Sequence, residues 1–138
     1  MGVRINGRWF SDMQRVTDYL WQLTQRNLEL LDAGVPPISE ALHRGELKYF
    51  RHHIGNMQVW NVSQIWDNGG GQCGDFGPAV AAESIRAGRL AYPVMYQSGT
   101  PGVVHVVVQD HETGNWVDPS RSGGMGGTST MYLPEVSR

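Results

Sequence analysis

Three residues have the types and the order of a covalent catalytic site: the only cysteine, Cys73, then His105, then Asp118. Cys73 follows a run of glycines, Gly69 to Gly71, and precedes a stretch typical of a helix. A thiol attacks as the thiolate, and both a helix N-terminus and a neighbouring imidazolium stabilise that form. Unpaired N–H groups at the same helix start can also hold an oxyanion. The pattern therefore predicts a cysteine nucleophile with a histidine as its acid–base partner.

The elements that must position these residues are a helix and a small antiparallel sheet. Apolar residues at helical spacing predict a first helix from Ser11 to Asp32, capped by Ser11 or Asp12, and helical turns within residues 39–47 and 62–66. An alanine-rich helix follows the cysteine and ends at Gly88. Segments rich in Val and Tyr predict strands at 91–97 and 103–109, and a third short strand is predicted at 115–118. The glycine-rich stretch from Pro119 to Gly127 predicts a loop.

The exact start of the cysteine helix has two interpretations. If the helix begins at Cys73, Pro78 lies just past its first turn and removes one backbone hydrogen bond. If it begins nearer Gly77, the thiol lies in the preceding loop and gains less from the helix dipole.

The last two strands bring the histidine and the aspartate together if their turn is centred between His111 and Glu112. In that register His105 lies directly opposite Asp118, on the same face, with Cβ atoms about 4.5 to 5.5 Å apart. A carboxylate at that distance orients an imidazole. A slip by one residue would put the two side chains on opposite faces.

Each of the three residues also has a purely structural interpretation. A lone cysteine is most often an inert, buried side chain. A histidine in an apolar strand can belong to the core, and the pair Asp118–Pro119 is a common turn opener. Their order and predicted mutual geometry favour the catalytic interpretation.

Composition limits the classes of function. A chain of 138 residues fits one domain, with a helical part at 1–68 and the cysteine helix and strands at 69–138. The net charge of -2 predicts no attraction to nucleic acid or to a membrane surface. Because the chain has one cysteine, it cannot form an internal disulfide framework. The basic segment with His43, His52 and His53 has no standard metal-ligand spacing. We therefore expect no metal and no cofactor. The start of the chain lacks the apolar stretch of a signal peptide, which favours an intracellular-type soluble protein.

Several motifs resemble the transglutaminase-like branch of the papain-like superfamily, and more narrowly small transglutaminase-like proteins of tailed bacteriophages. The resemblance spans roughly Asp32 to Met125, and its motifs are Gly70-Gly-Gln-Cys-Gly-Asp-Phe76, the alanine-rich helix, His105, and Asp118-Pro-Ser-Arg121 with Gly124-Met125. It implies an α+β papain-like fold, with N-terminal helices and the cysteine at the start of a central helix packed on a small antiparallel sheet.

The resemblance also implies acyl transfer at an amide or isopeptide carbonyl. Cys73 would be the nucleophile, His105 the general base and acid, and Asp118 the orienter of the imidazole. The oxyanion would rest on the Cys73 backbone N–H and on the side-chain amide of Gln72 or Gln64. Gln72 stands where the phage pattern has Asp, and the residue after the cysteine is Gly where Glu or Asp is common.

Two functions follow from this resemblance. One is a phage cysteine peptidase, amidase or transglutaminase-like acyltransferase that acts on a protein or peptide amide. The other is a catalytically silent virion protein of the head, connector or tail that contacts other virion proteins. Low charge and 18 glycines fit an oligomeric assembly. In either case we expect the protein in the host cytoplasm during assembly and then in the virion.

Overall fold

The computed structural model describes residues 3–5, 8–10, 13–52, 59–97 and 104–124 of the chain. It is a mixed α+β fold. The helices are α1 (Met13–Asp32), α2 (Ser39–His43), α3 (Val62–Asn68), α4 (Cys73–Arg86) and α5 (Pro119–Ser122). The strands are β1 (Val3–Ile5), β2 (Arg8–Phe10), β3 (Lys48–Tyr49), β4 (Gly70–Gly71), β5 (Ala91–Gln97), β6 (Val104–Asp110) and β7 (Trp116–Val117).

The largest sheet of the described residues is an antiparallel meander in the order β5-β6-β7, as the sequence predicts. Helices α1 and α4 pack on each other and both contact β5, and α4 also contacts β6. Two small pairings accompany this sheet: β1 with β2 antiparallel, and β3 with β4 parallel. Neither pairing is predicted by the sequence, so the first 68 residues are not purely helical.

The central helix α4 is buried along its first ten residues, from Cys73 to Ala82. Small residues allow this close packing, since a Cβ added at Gly77 would lie 2.5 Å from Cγ1 of Val106 on β6. The helix begins at Cys73 and contains Pro78, so the first of the two predicted helix starts is correct. The nucleophile candidate therefore lies at the first helical position.

Two predictions near the sheet are wrong. The structure pairs Val108 with Val117, a register displaced by two residues from the one expected. The turn is centred one residue later because Asp110 Oδ1 accepts the backbone N–H groups of Glu112 and Thr113, both at 2.9 Å. Because side chains alternate with a period of two, the displacement leaves the aspartate on the face expected for it.

The second error is the loop predicted from Pro119. Residues Pro119–Ser122 form the short helix α5, because Asp118 caps it by accepting the Ser120 N–H at 3.1 Å. Proline at the first helical position supports the same start. The predicted caps Ser11 and Asp12 lie outside the described residues, as do residues 98–103 after the first predicted strand of the sheet.

Within the described part of the chain, no helix combines the length and the apolar character needed to cross a membrane.

Candidate active site

Cys73 lies at the start of α4 with Gln72 as the residue before the helix. The backbone there is held by Asp75, whose Oδ2 accepts the Gln72 N–H at 2.8 Å. The side chain of Cys73 is buried, with 5% of the residue exposed. It packs within an apolar cluster that includes Met95 and Val106.

His105 and Asp118 form a buried pair. His105 Nε2 lies 2.8 Å from Asp118 Oδ2, and the two side chains are 9% and 3% exposed. Asp118 uses its other oxygen to cap α5 at Ser120. The carboxylate is thus held between the imidazole and a helix start, which fixes its orientation.

The side chain of Cys73 lies close enough to His105 to contribute to the pKa of the imidazole. Because Nε2 already bonds Asp118, Nδ1 is the ring nitrogen that remains for an interaction with a thiol. Burial alone would lower the pKa of His105, but hydrogen bonds and charge interactions with Asp118 and Cys73 outweigh it and raise the pKa to about 9. The imidazole therefore holds a positive charge at neutral pH, next to the sulfur.

An aromatic wall borders the histidine. Tyr96 is the cross-strand partner of His105, and their rings meet edge to face with centroids 5.6 Å apart. Trp116 also meets the Tyr96 ring edge to face, at a centroid distance of 6.4 Å. These rings restrict the rotation of the imidazole and shield it from water.

The two predicted oxyanion donors occupy different environments. Gln72 is buried beside Cys73, and its Nε2 has no hydrogen-bond partner among the described residues. Gln64 is exposed on α3, where its Oε1 accepts the Asn61 N–H at 2.9 Å in a capping box. The structure thus leaves the amide of Gln72 available for an acceptor and commits the side chain of Gln64 to a helix cap.

A second buried histidine–aspartate pair involves Asp75 in the first turn of α4, and the sequence does not predict it. His52 Nε2 is 2.6 Å from Oδ2 of Asp75, with side-chain exposures of 6% and 0%. Asp75 also accepts the Trp60 N–H at 2.6 Å, and the His52 ring stacks on the Trp60 indole at 3.5 Å. Burial raises the pKa of Asp75, although these hydrogen bonds oppose the shift. This pair supports the backbone that enters α4.

Tyr49 is a further residue close to the site. Parallel pairing of β3 with β4 sets Tyr49 beside Gly71, two residues before Cys73. The pKa of Tyr49 is raised mainly by burial of the phenol, and the charge of Asp118 adds to the shift while Arg51 opposes it. The phenol is therefore neutral near pH 7, on a residue that pairs two positions before Cys73.

Among residues 13–52, 59–97 and 104–124, no group of three or more His, Cys, Asp and Glu side chains is arranged to hold a metal ion. Of the predicted site residues, Cys73, His105, Asp118 and Gln72 converge at the start of α4. Comparison of the chain with protein-family models, with curated proteins and with solved structures finds no match.

Proposed function

We propose that the chain is a transglutaminase-like protein with a papain-like core that catalyses acyl transfer from an amide or isopeptide through a Cys73 thioester. The observation that carries the proposal is the buried hydrogen bond between Asp118 and His105, with Cys73 at the first residue of α4 close enough to influence the pKa of the imidazole. Lone structural cysteines do not require a buried, charged histidine beside them. A histidine held in the charged form is what a thiolate nucleophile needs.

The chemistry follows from the positions of the protons. The Cys73 thiolate attacks the carbonyl carbon, and the carbonyl oxygen becomes an oxyanion held by the Cys73 N–H and by Nε2 of Gln72. His105 gives its Nδ1 proton to the leaving amine, which departs as the C–N bond breaks and the thioester forms. Water or a second amine then attacks the thioester and gives a proton to His105. The C–S bond breaks, which releases the acid or the new amide and regenerates the Cys73 thiolate. Asp118 keeps the ring oriented in both steps.

A second candidate function is a silent structural role in a phage virion. The burial of Cys73 in an apolar cluster with Met95 and Val106 favours it, because an inert core thiol would have the same surroundings. The two functions predict opposite reactivity of the same sulfur.

The alkylation rate of Cys73 by iodoacetamide, measured from pH 5 to 10, separates the two. The protein has one cysteine, so every adduct reports this site. We expect rapid alkylation already at about pH 6, whereas the unfolded chain reacts as free thiols do, near pH 8.5. His105→Ala should remove the reaction at low pH, and His111→Ala, at an exposed turn, is the matched control.

Slow alkylation that ignores His105 would refute the catalytic proposal. Together with a stoichiometric copy number in purified phage particles, it would establish the structural role. If alkylation depends on His105, the next step is to search for the substrate among protein and peptide amides. Gln72→Leu should then lower kcat on the substrate found by about 10²- to 10³-fold, as expected for loss of one oxyanion donor.

A further inference from the structure

Asp75 is joined to Gln72, the residue before the cysteine, by hydrogen bonds in both directions. The Gln72 N–H donates to Asp75 Oδ2 at 2.8 Å, and the Asp75 N–H donates to the Gln72 carbonyl at 3.0 Å. The carboxylate also lies against Gly71, because a Cβ added there would be 2.5 Å from Oδ2. The backbone of Gln72 is therefore positioned by Asp75.

The carboxylate of Asp75 is fully buried and is held in turn by two residues outside α4. Oδ1 accepts the Trp60 N–H at 2.6 Å, and Oδ2 lies 2.6 Å from His52 Nε2. Because an ionised carboxylate only accepts hydrogen bonds, Nε2 of His52 is the donor. Oδ2 thus receives two hydrogen bonds, one from His52 and one from Gln72. Loss of the His52 donor would leave a buried carboxylate oxygen with one partner fewer, which favours its movement away from Gln72.

The ring of His52 is itself fixed by packing. Its side chain is 6% exposed, and the ring stacks on the Trp60 indole with centroids 3.5 Å apart and an interplanar angle of 5°. Phe50 meets both rings edge to face, and its backbone N–H donates to the Gly71 carbonyl at 2.8 Å. The imidazole is thus held against the segment that leads into α4.

Gln72 connects His52 with the proposed chemistry. The side chain of Gln72 is buried, and its Nε2 has no hydrogen-bond partner among the described residues. In the proposed function this amide and the Cys73 N–H hold the oxyanion. Such donors act because they are in place before the charge develops. A small displacement of Gln72 would therefore slow acyl transfer while the thiolate itself stays reactive.

We propose that His52 is a positioning residue for acyl transfer: by donating to Asp75, it holds Gln72 in place to stabilise the oxyanion. This inference rests on the proposed function, because it takes Cys73 as the nucleophile and Gln72 as an oxyanion donor. It adds a residue that acts through Asp75 rather than on the reacting atoms.

Two reagents separate oxyanion stabilisation from thiolate reactivity without a known substrate. p-Nitrophenyl acetate acylates the thiolate through a tetrahedral oxyanion, and p-nitrophenolate leaves as the C–O bond breaks and the thioester forms. Iodoacetamide alkylates the same thiolate by direct displacement of iodide, with no oxyanion. The ratio of the acylation rate constant to the alkylation rate constant at Cys73 therefore measures the oxyanion site, and a loss of thiolate lowers both rates alike.

Two variants separate the hydrogen bond of His52 from its stacking. His52→Phe keeps a ring against Trp60 but removes the donor, so the ratio should fall about 10- to 100-fold while the iodoacetamide rate stays within about twofold of the wild type. His52→Gln keeps an N–H donor near the position of Nε2 and should retain most of the ratio. Asp75→Asn replaces one acceptor oxygen by a donor at nearly constant shape, and it should lower the ratio as His52→Phe does.

His43→Phe is the matched control, because it makes the same substitution at an exposed histidine of α2. A double variant tests whether His52 acts through Gln72. In a Gln72→Leu background, His52→Phe should lower the ratio by less than about twofold, since the donor that it positions is already gone.

An unchanged ratio in His52→Phe, an equal fall in His52→Gln or His43→Phe, or independent losses in the double variant would overturn the inference. In each of these cases fast, His105-dependent alkylation would still support the catalytic site. If circular dichroism shows that His52→Phe is unfolded, Asp75→Asn takes its place in the same comparison, and an unchanged ratio there has the same meaning. Slow alkylation of the wild type that ignores His105 would overturn both proposals.

Discussion

Replacing Asp118 by asparagine should change the protonation of His105 while leaving the helix cap in place. The asparagine oxygen can still accept the Ser120 N–H, as Oδ1 of Asp118 does at 3.1 Å. Its amide nitrogen then faces Nε2 of His105, where a carboxylate oxygen lies at 2.8 Å in the wild type. An amide donor at Nε2 moves the ring proton of neutral imidazole to Nδ1, which is the nitrogen that must accept the thiol proton.

The size of the effect follows from the pKa of His105. The shift from 6.5 to about 9 corresponds to about 3 kcal/mol in favour of the charged ring. Asp118 is the first of the two partners that raise this pKa, so Asp118→Asn should lower it by roughly 1 to 2 units. The same change should cost about 2 kcal/mol of stability at pH 6.

The pH dependence has a defined sign. A histidine with a raised pKa stabilises the fold fully below its unfolded value of 6.5, and this contribution is lost as the pH rises through about 9. The stability difference between wild type and Asp118→Asn should therefore be largest near pH 6 and smaller near pH 10. NMR titration of the His105 ring gives the pKa, and urea unfolding at the two pH values gives the free energies.

Asp67→Asn, a change of the same charge at an exposed position on α3, is the control. An unchanged pKa of His105 in Asp118→Asn would show that the carboxylate does not govern the ring. A stability difference equal at pH 6 and pH 10 would show that the two groups do not interact as a charged pair. Either result would refute the reasoning.

Three further predictions use other parts of the structure. Cys73→Ala should abolish acyl transfer and keep the helical circular dichroism of the wild type. It should also lower the pKa of His105 below about 9, because Cys73 is one of the two residues that raise that pKa. Turnover retained in this variant would exclude Cys73 as the nucleophile. Gly77→Ala should lower the free energy of unfolding in urea by about 1 to 3 kcal/mol, because the new methyl would overlap Val106. Adding Val106→Ala should recover part of that free energy. If the effects of the two substitutions were strictly additive, the contact would be contradicted. The pKa of Asp110 is lowered to about 2 by a backbone N–H of its turn and by a guanidinium. The ionised carboxylate therefore stabilises the fold above about pH 4, and this stabilisation is lost as the pH falls through about 2. Asp110→Ala should accordingly have a lower urea midpoint than the wild type at pH 7, and the same midpoint near pH 2.

The long elements could be predicted because their patterns are strong. Helix α1 has a sustained apolar period, and β5 and β6 are dense in β-branched and aromatic residues. The order Cys73, His105, Asp118 then requires only that a helix start meet two neighbouring strands. The structure brings these residues together even though the predicted register is displaced by two positions.

The contacts around the site could not be predicted from the sequence. Strands β3 and β4 have two residues each, which is too short for any periodic signature. Their pairing places Tyr49 beside Gly71, and the contact between His52 and Asp75 joins residues 23 apart. Such contacts depend on tertiary packing, and the spacing of residues along the sequence carries no information about it. Asp75 is visible within the cysteine motif, but no spacing in the sequence marks His52 as its partner.

The free energy needed to expose the backbone amides to solvent should differ greatly between the short strand β7 and the buried helix α4. The amide protons of α4 lie under the core from Cys73 to Ala82, so we expect them to exchange with solvent only when the whole domain unfolds. Strand β7 has two residues, and its Val117 is 55% exposed, so its amide protons should exchange through local opening. Each such opening moves Asp118 away from His105 while Cys73 stays in place. Under mild denaturant the protein should thus lose the orienting carboxylate first, while the helix that carries the thiol remains folded.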